Sequence, residues 1–163
     1  MSATNWGTKP LKNDVAADWV ASLNDDYNSR AAGVSRADVV EVWAGKIVET
    51  WQRWYSDPSL NNNGGCQEQR RAAAELIIID TSNGCVFSQE LIGNMVIALS
   101  GLLSDNKWLG TWDSTDRIHV AADIHQQINK LTLILQSVKL THKTSQETVL
   151  ILPPQDKWEK IIF

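Results

Sequence analysis

The side chains in this 163-residue chain that could do chemistry are few, and their spacing decides what they could do. His119 and Asp123 stand four positions apart, which sets both on one face of a helix, and His125 follows two residues later. Such a set could bind a metal ion or pass a proton. Helical geometry separates the third member, because His125 is turned by about 200° from Asp123 around a rod of 3.6 residues per turn. An exposed His–Asp pair and a histidine at the edge of the core are therefore expected. Asp14 and Asp18 repeat the four-residue spacing with two carboxylates, the arrangement a helical magnesium-dependent hydrolase multiplies across adjacent helices. Glu41, Glu49, Glu68, Glu75 and Asp116 add carboxylates without a convincing second pair. A small metal-dependent hydrolase using Asp14, Asp18, His119 and Asp123 is thus an alternative reading. The plainer one is helix-terminal charge at Asp14 and solvated faces elsewhere.

Nucleotide chemistry has less support, since Gly64-Gly65 is not followed by the Gly-Lys-Ser/Thr of a phosphate loop. Arg53 and the pair Arg70-Arg71 could meet phosphate, but on a chain with 15 Lys+Arg against 19 Asp+Glu they are expected to face solvent. His142 is expected in water. Cys66 and Cys85 form no CxxC motif and no Cys/His cluster, so zinc is not expected and two free thiols are. No cofactor is expected, and the ionisable groups should be dispersed around the helices.

Eight tryptophans beside two tyrosines and two phenylalanines are the unusual feature of the composition. An indole brings a large apolar area and one N–H that needs a partner, so it serves as a core pillar or an interface anchor. Trp6, Trp108 and Trp112 fall outside the amphipathic stripes that helix packing requires. They either close the ends of a bundle or contact a partner, with Trp158 and Phe163 of the apolar C-terminus as further candidate contacts.

The elements that must position these residues read as helices. Asn13 or Asp14 can cap a first helix over 14–24, with Ala16, Trp19, Val20 and Leu23 on one face. Ser35-Arg36-Ala37-Asp38 has the capping-box form. Val39, Trp43, Ile47, Trp51 and Tyr55 then recur every four residues until Asp57-Pro58. A loop over 59–66 leads to a third helix over 67–80, whose last turn should be buried on most sides. Ser88 can cap a fourth, running to Ser104, in which Gly93 and Gly101 either weaken the helix or mark close approach of a neighbour. A loop over 105–112 precedes the longest helix, capped by Asp113 or Ser114. There Ala121, Ile124, Ile128, Leu131, Leu135 and Val138 form a seam of about three heptads. The fold expected is mainly α, a single-domain bundle of about five helices spanning 1–163. A turn segment over 1–13 leads in, and a tail over 141–163, β-prone at 148–152, packs on the bundle.

The lead-in and first helix, Trp6-Gly7-Thr8, Pro10, Asn13-Asp14, Ala16-Ala17-Asp18-Trp19 and Leu23, resemble the N-terminal signature of a bacterial family, domain of unknown function 4259. Ala72-Ala73-Ala74-Glu75 looks like its Ala-rich central helix. The resemblance covers about 20 residues well, is weak in the centre and stops near residue 80; Lys9, Leu11 and Val15 depart from the pattern, which has Gly, Phe and Asp there. It implies a small, mainly helical bacterial or phage-borne protein and assigns no catalytic residue. Physically the signature reads as a turn anchored by Trp6, bent at Gly7 and capped by Asn13 or Asp14, with Trp19 on the packed face.

A formal net charge of -4 and a pI near 5.3 argue against a nucleic-acid partner. No run of about 18 apolar residues implies a membrane span, and the first residues lack a basic-then-apolar leader, so a cytoplasmic location is expected. The leading expectation is a non-catalytic protein-interaction module, an immunity or antagonist protein that neutralises a toxin or defence enzyme with a basic surface. A self-associating structural protein, docking Ile161-Ile162-Phe163 into a second copy, is the third class.

Overall fold

A computed structural model describes residues 8–57 and 66–146, with side chains described as far as Val138. Within these residues there are six helices and no strand: α1 (Asp14–Ser29), α2 (Arg36–Ser56), α3 (Gln67–Ser82), α4 (Gln89–Leu103), the single turn α5 (Asn106–Leu109) and α6 (Ser114–Gln146). The helical bundle expected from periodicity is the fold. The β-prone segment 148–152, like Trp6, Gly7, Trp158 and Phe163, lies outside the described residues. Residues 141–146, expected to begin the tail, continue α6 instead, and α5 occupies what reads as loop.

Caps start most of the helices where the sequence places them. The Asn13 side chain accepts from the Ala16 N–H at 2.8 Å, Ser35 from Asp38 at 3.2 Å, Ser88 from Leu91 at 3.1 Å and Asp113 from Asp116 at 2.8 Å. α3 is the exception: Cys66 precedes it in the left-handed region at φ 49°, with no side-chain cap. α1 runs five residues past its expected end at Asn24. The stretch Asn24-Asp25-Asp26 favours turns when isolated. Here α2 holds it helical: Trp43 Nε1 donates to Asp26 Oδ2 at 2.7 Å, and Arg36 donates to Asn24 Oδ1 at 3.0 Å while lying over the Tyr27 ring.

One continuous core fills the bundle. It takes Leu23 from α1, Val40 and Trp51 from α2, Ile77 from α3, Met95 and Leu99 from α4, and Ile124, Leu131 and Leu135 from α6. α6 packs chiefly along α4, and its expected seam is the buried one. The last turn of α3 is less enclosed than expected, since Ile77 is buried but Ile79 is exposed. Cys66 and Cys85 stand before and after α3, a helix of 16 residues about 24 Å long, and are not joined by a disulfide.

α2 and α4 run parallel, with Glu41 beside Ser88 at one end and Trp51 against Gly101 further up. A Cβ added at Gly101 would lie 2.9 Å from Trp51 Cζ2, so this glycine marks a close approach; at Gly45 the same atom would meet nothing within 4 Å. One substitution therefore has two signs. Gly45→Ala is expected to stabilise by up to about 1 kcal/mol through helix propensity. Gly101→Ala is expected to destabilise by about 1–2 kcal/mol, because overpacking outweighs the same gain. Urea unfolding of the two variants measures both.

Candidate functional site

The structure gathers charge where dispersal was expected. Arg70 and Arg71, expected in solvent, are 1% and 0% exposed, Glu68 and Asp123 are buried near Arg71, and Asp80 is buried at the far end of α3. The reason is long-range pairing. At the start of α3, Glu68 accepts from Asn13 Nδ2 at 2.8 Å and from Trp108 Nε1 at 3.1 Å, and its Oε1 lies 3.6 Å from Arg71 Nη1. Arg71 donates through Nη2 to the Thr8 carbonyl. Gln127 Nε2 donates to the Arg71 carbonyl at 3.0 Å and to Glu75 at 3.1 Å. Lys9 closes the edge by donating to Asp123 Oδ1 at 3.2 Å. Together these contacts fasten the lead-in and α5 to α3 and α6.

Arg70 points the other way. Its Nη1 donates to the Ala98 carbonyl at 2.7 Å, and its guanidinium lies 5.1 Å from the centre of the Trp51 ring. Burial pushes its pKa down to about 10, with Asp105 and Cys66 opposing the shift, so it remains a cation at neutral pH. Asp80, beyond the other end of the core, pairs with Arg36 at 3.0 Å.

Burial raises the Glu68 pKa above its ordinary value of 4.5, against the pull of Arg71 and of the Trp108 and Asn13 hydrogen bonds. A carboxyl whose folded pKa is raised binds more protons folded than unfolded. Its contribution to stability is therefore largest below 4.5 and is lost as pH rises through the folded pKa. The stability of the native protein minus that of Glu68→Gln should accordingly fall as pH rises from about 4.5 and level off once Glu68 is ionised; thermal unfolding across that range measures it.

The candidate metal ligands do not converge. Asp14 and Asp18 are exposed on α1, His119 and His125 are exposed on α6, and Asp123 is turned inward to Lys9. The exposed His–Asp pair expected from spacing is thus half right. Among the described residues no group of three or more His, Cys, Asp or Glu side chains could hold a metal ion. Of the candidate partner contacts, Trp112 is 7% exposed and belongs to the core, edge-on to the half-buried Trp108, so at this end of the bundle the indoles close the core. Trp19 is half-buried, 6.2 Å from Trp43 in a T-shaped pair.

Sequence spacing missed a groove between α2 and α4. It measures about 250 Å³, and its lining includes Glu41, Glu49 and Glu90 over Val48 and Leu91, with Ser88 at one end and no lysine or arginine. That is below the roughly 300–1,000 Å³ of small-molecule sites, so it suits one or two side chains of a partner better than a cofactor. Glu41 is tied to Ser88 through both the backbone N–H and the hydroxyl, and Glu49 lies 3.3 Å from the exposed Arg53. The available signal was Glu41, Gly45 and Glu49 at four-residue spacing on α2: two acids flanking a residue with no side chain.

No family model, no curated protein and no solved structure matches this chain. No helix among the described residues is long and apolar enough to cross a membrane.

Proposed function

We propose that this chain is a non-catalytic protein-interaction module, an immunity or antagonist protein whose α2–α4 face receives a basic partner. The observation that carries the reading is the groove, where three carboxylates border an apolar floor and the lining supplies no cation. A partner lysine or arginine could bury its stem on Val48 and Leu91 and place its charge among the glutamates. Complementary charge of this kind raises association rates and excludes wrong partners. Elsewhere on α2, the half-buried Trp43 and Trp54, the 69% exposed Tyr55 and the 49% exposed Val42 add apolar area of the kind interfaces use. The buried ionisable groups support the reading in another way. They are spent on holding helices together, whereas the carboxylates of the groove stand at the surface, where a ligand could reach them. The likeness of the lead-in to domain of unknown function 4259 is compatible, since Asn13 and Trp19 of that signature have capping and packing roles.

Affinity capture from the native host with the full chain and with Glu49→Lys/Glu90→Lys tests the proposal. Capture of a basic protein by the native chain and its loss from the variant, with helicity unchanged by circular dichroism, is the expected result. Equal capture by both proteins, or capture of nothing by either, overturns it.

A further inference from the structure

The joint between the lead-in, α3 and α6 is incompletely satisfied by protein groups. Arg71 Nε, Asp123 Oδ2 and Gln127 Oε1 are all buried and have no hydrogen-bond partner among the described residues. They belong to one neighbourhood: Gln127 donates to the Arg71 carbonyl, the Asp123 carboxylate favours the Arg71 cation, and Asp123 and Gln127 are one helical turn apart on α6. A buried polar group left unpaired costs about 1–3 kcal/mol, and more when it is charged. Three such atoms together would take a large share of the roughly 5–15 kcal/mol by which a protein is stable.

We propose that this cluster is a binding site for internal water, held between the Arg71 guanidinium and the Asp123 and Gln127 oxygens beneath Lys9. The chemistry selects the ligand. The guanidinium disfavours a cation, and Glu68, Glu75 and Asp123 around it disfavour an anion. What remains is a small neutral molecule that both accepts and donates, as water does in joining two to four otherwise unpaired buried groups. Arg71 Nε supplies a donor, and Asp123 Oδ2 and Gln127 Oε1 supply the acceptors. Thr8, whose carbonyl Arg71 holds, and Lys9, whose ammonium covers Asp123, put the lead-in over the site. The water therefore completes the seat of the lead-in and exchanges slowly with bulk solvent.

A crystal structure of the full chain that resolves ordered solvent tests this directly. The expected result is solvent density at about 2.7–3.2 Å from an Arg71 nitrogen and from Asp123 Oδ2 or Gln127 Oε1. Direct pairing of those side chains without intervening density overturns the proposal, as does density for an anion together with a rise in melting temperature on adding inorganic phosphate. Oxygen-17 magnetic relaxation dispersion in solution gives an independent readout. The native chain should show a long-lived internal-water component that diminishes in Gln127→Met, and an unchanged amplitude in the folded variant overturns the assignment.

Discussion

Replacing Arg71 by methionine is expected to cost about 3–5 kcal/mol, the range for removing one partner of a buried ion pair. Methionine keeps most of the volume, so the loss is electrostatic rather than a cavity. Glu68, with a side chain 8% exposed, loses the cation 3.6 Å away, and Asp123 and Glu75 lose the same charge. The Thr8 carbonyl loses its donor, which unfastens the lead-in as well. For a chain of this length the shift in melting temperature is roughly 6–20 °C. Adding Glu68→Gln to Arg71→Met should restore more than about 1 kcal/mol, because the second change removes a charge that the first left unpaired. Chemical denaturation of the two single variants and the double variant measures the coupling. Additive losses would mean that the pair is not an energetic unit.

A loss of similar size, about 3–5 kcal/mol, is expected for Trp51→Ala. Trp51 is 5% exposed and sits where three elements meet: Arg70 of α3 over its ring, Gly101 of α4 against its edge and Tyr55 of α2 at 5.5 Å. Truncation opens a cavity and uncovers a guanidinium that donates to the Ala98 carbonyl and whose buried Nε has no hydrogen-bond partner among the described residues. The geometry adds a specific signature. The cost of Gly101→Ala should vanish or reverse in the Trp51→Ala background, because the ring atom 2.9 Å from the added Cβ is gone. If Gly101→Ala costs the same in both backgrounds, the close approach does not set the α2–α4 spacing.

These two sites mark the limit of what local pattern reveals. The rods themselves were legible, because apolar periodicity and caps act within a few residues: Ser35, Ser88 and the Ile124–Leu135 seam all stand where spacing puts them. The end of α1 was not, since Asn24 and Asp26 are held helical by Arg36 and Trp43 from another helix. Burial of Arg70 and Arg71 was missed for the same reason on a larger scale. Asn13 meets Glu68 across 55 positions and Trp108 meets it across 40, and composition alone sends arginine to water. A local trace did exist. Arg70-Arg71 runs straight into Ala72-Ala73-Ala74, and Asp123 and Gln127 sit at i,i+4 beside the buried Ile124 and the half-buried Ile128, a polar stripe bordering an apolar one. The groove was less legible still, because it depends on how α2 and α4 lie together.

The charges of this chain divide into a buried set that holds the bundle and an open acidic set on α2 and α4, the set proposed to meet a partner. Calorimetric titration of the captured partner into the native chain and into Glu49→Lys/Glu90→Lys, at low and high salt, tests that division most directly. The variant is expected to bind at least about tenfold more weakly at low salt, and raising the salt is expected to weaken native binding far more than variant binding. Equal affinities with the same salt dependence in both proteins would contradict it.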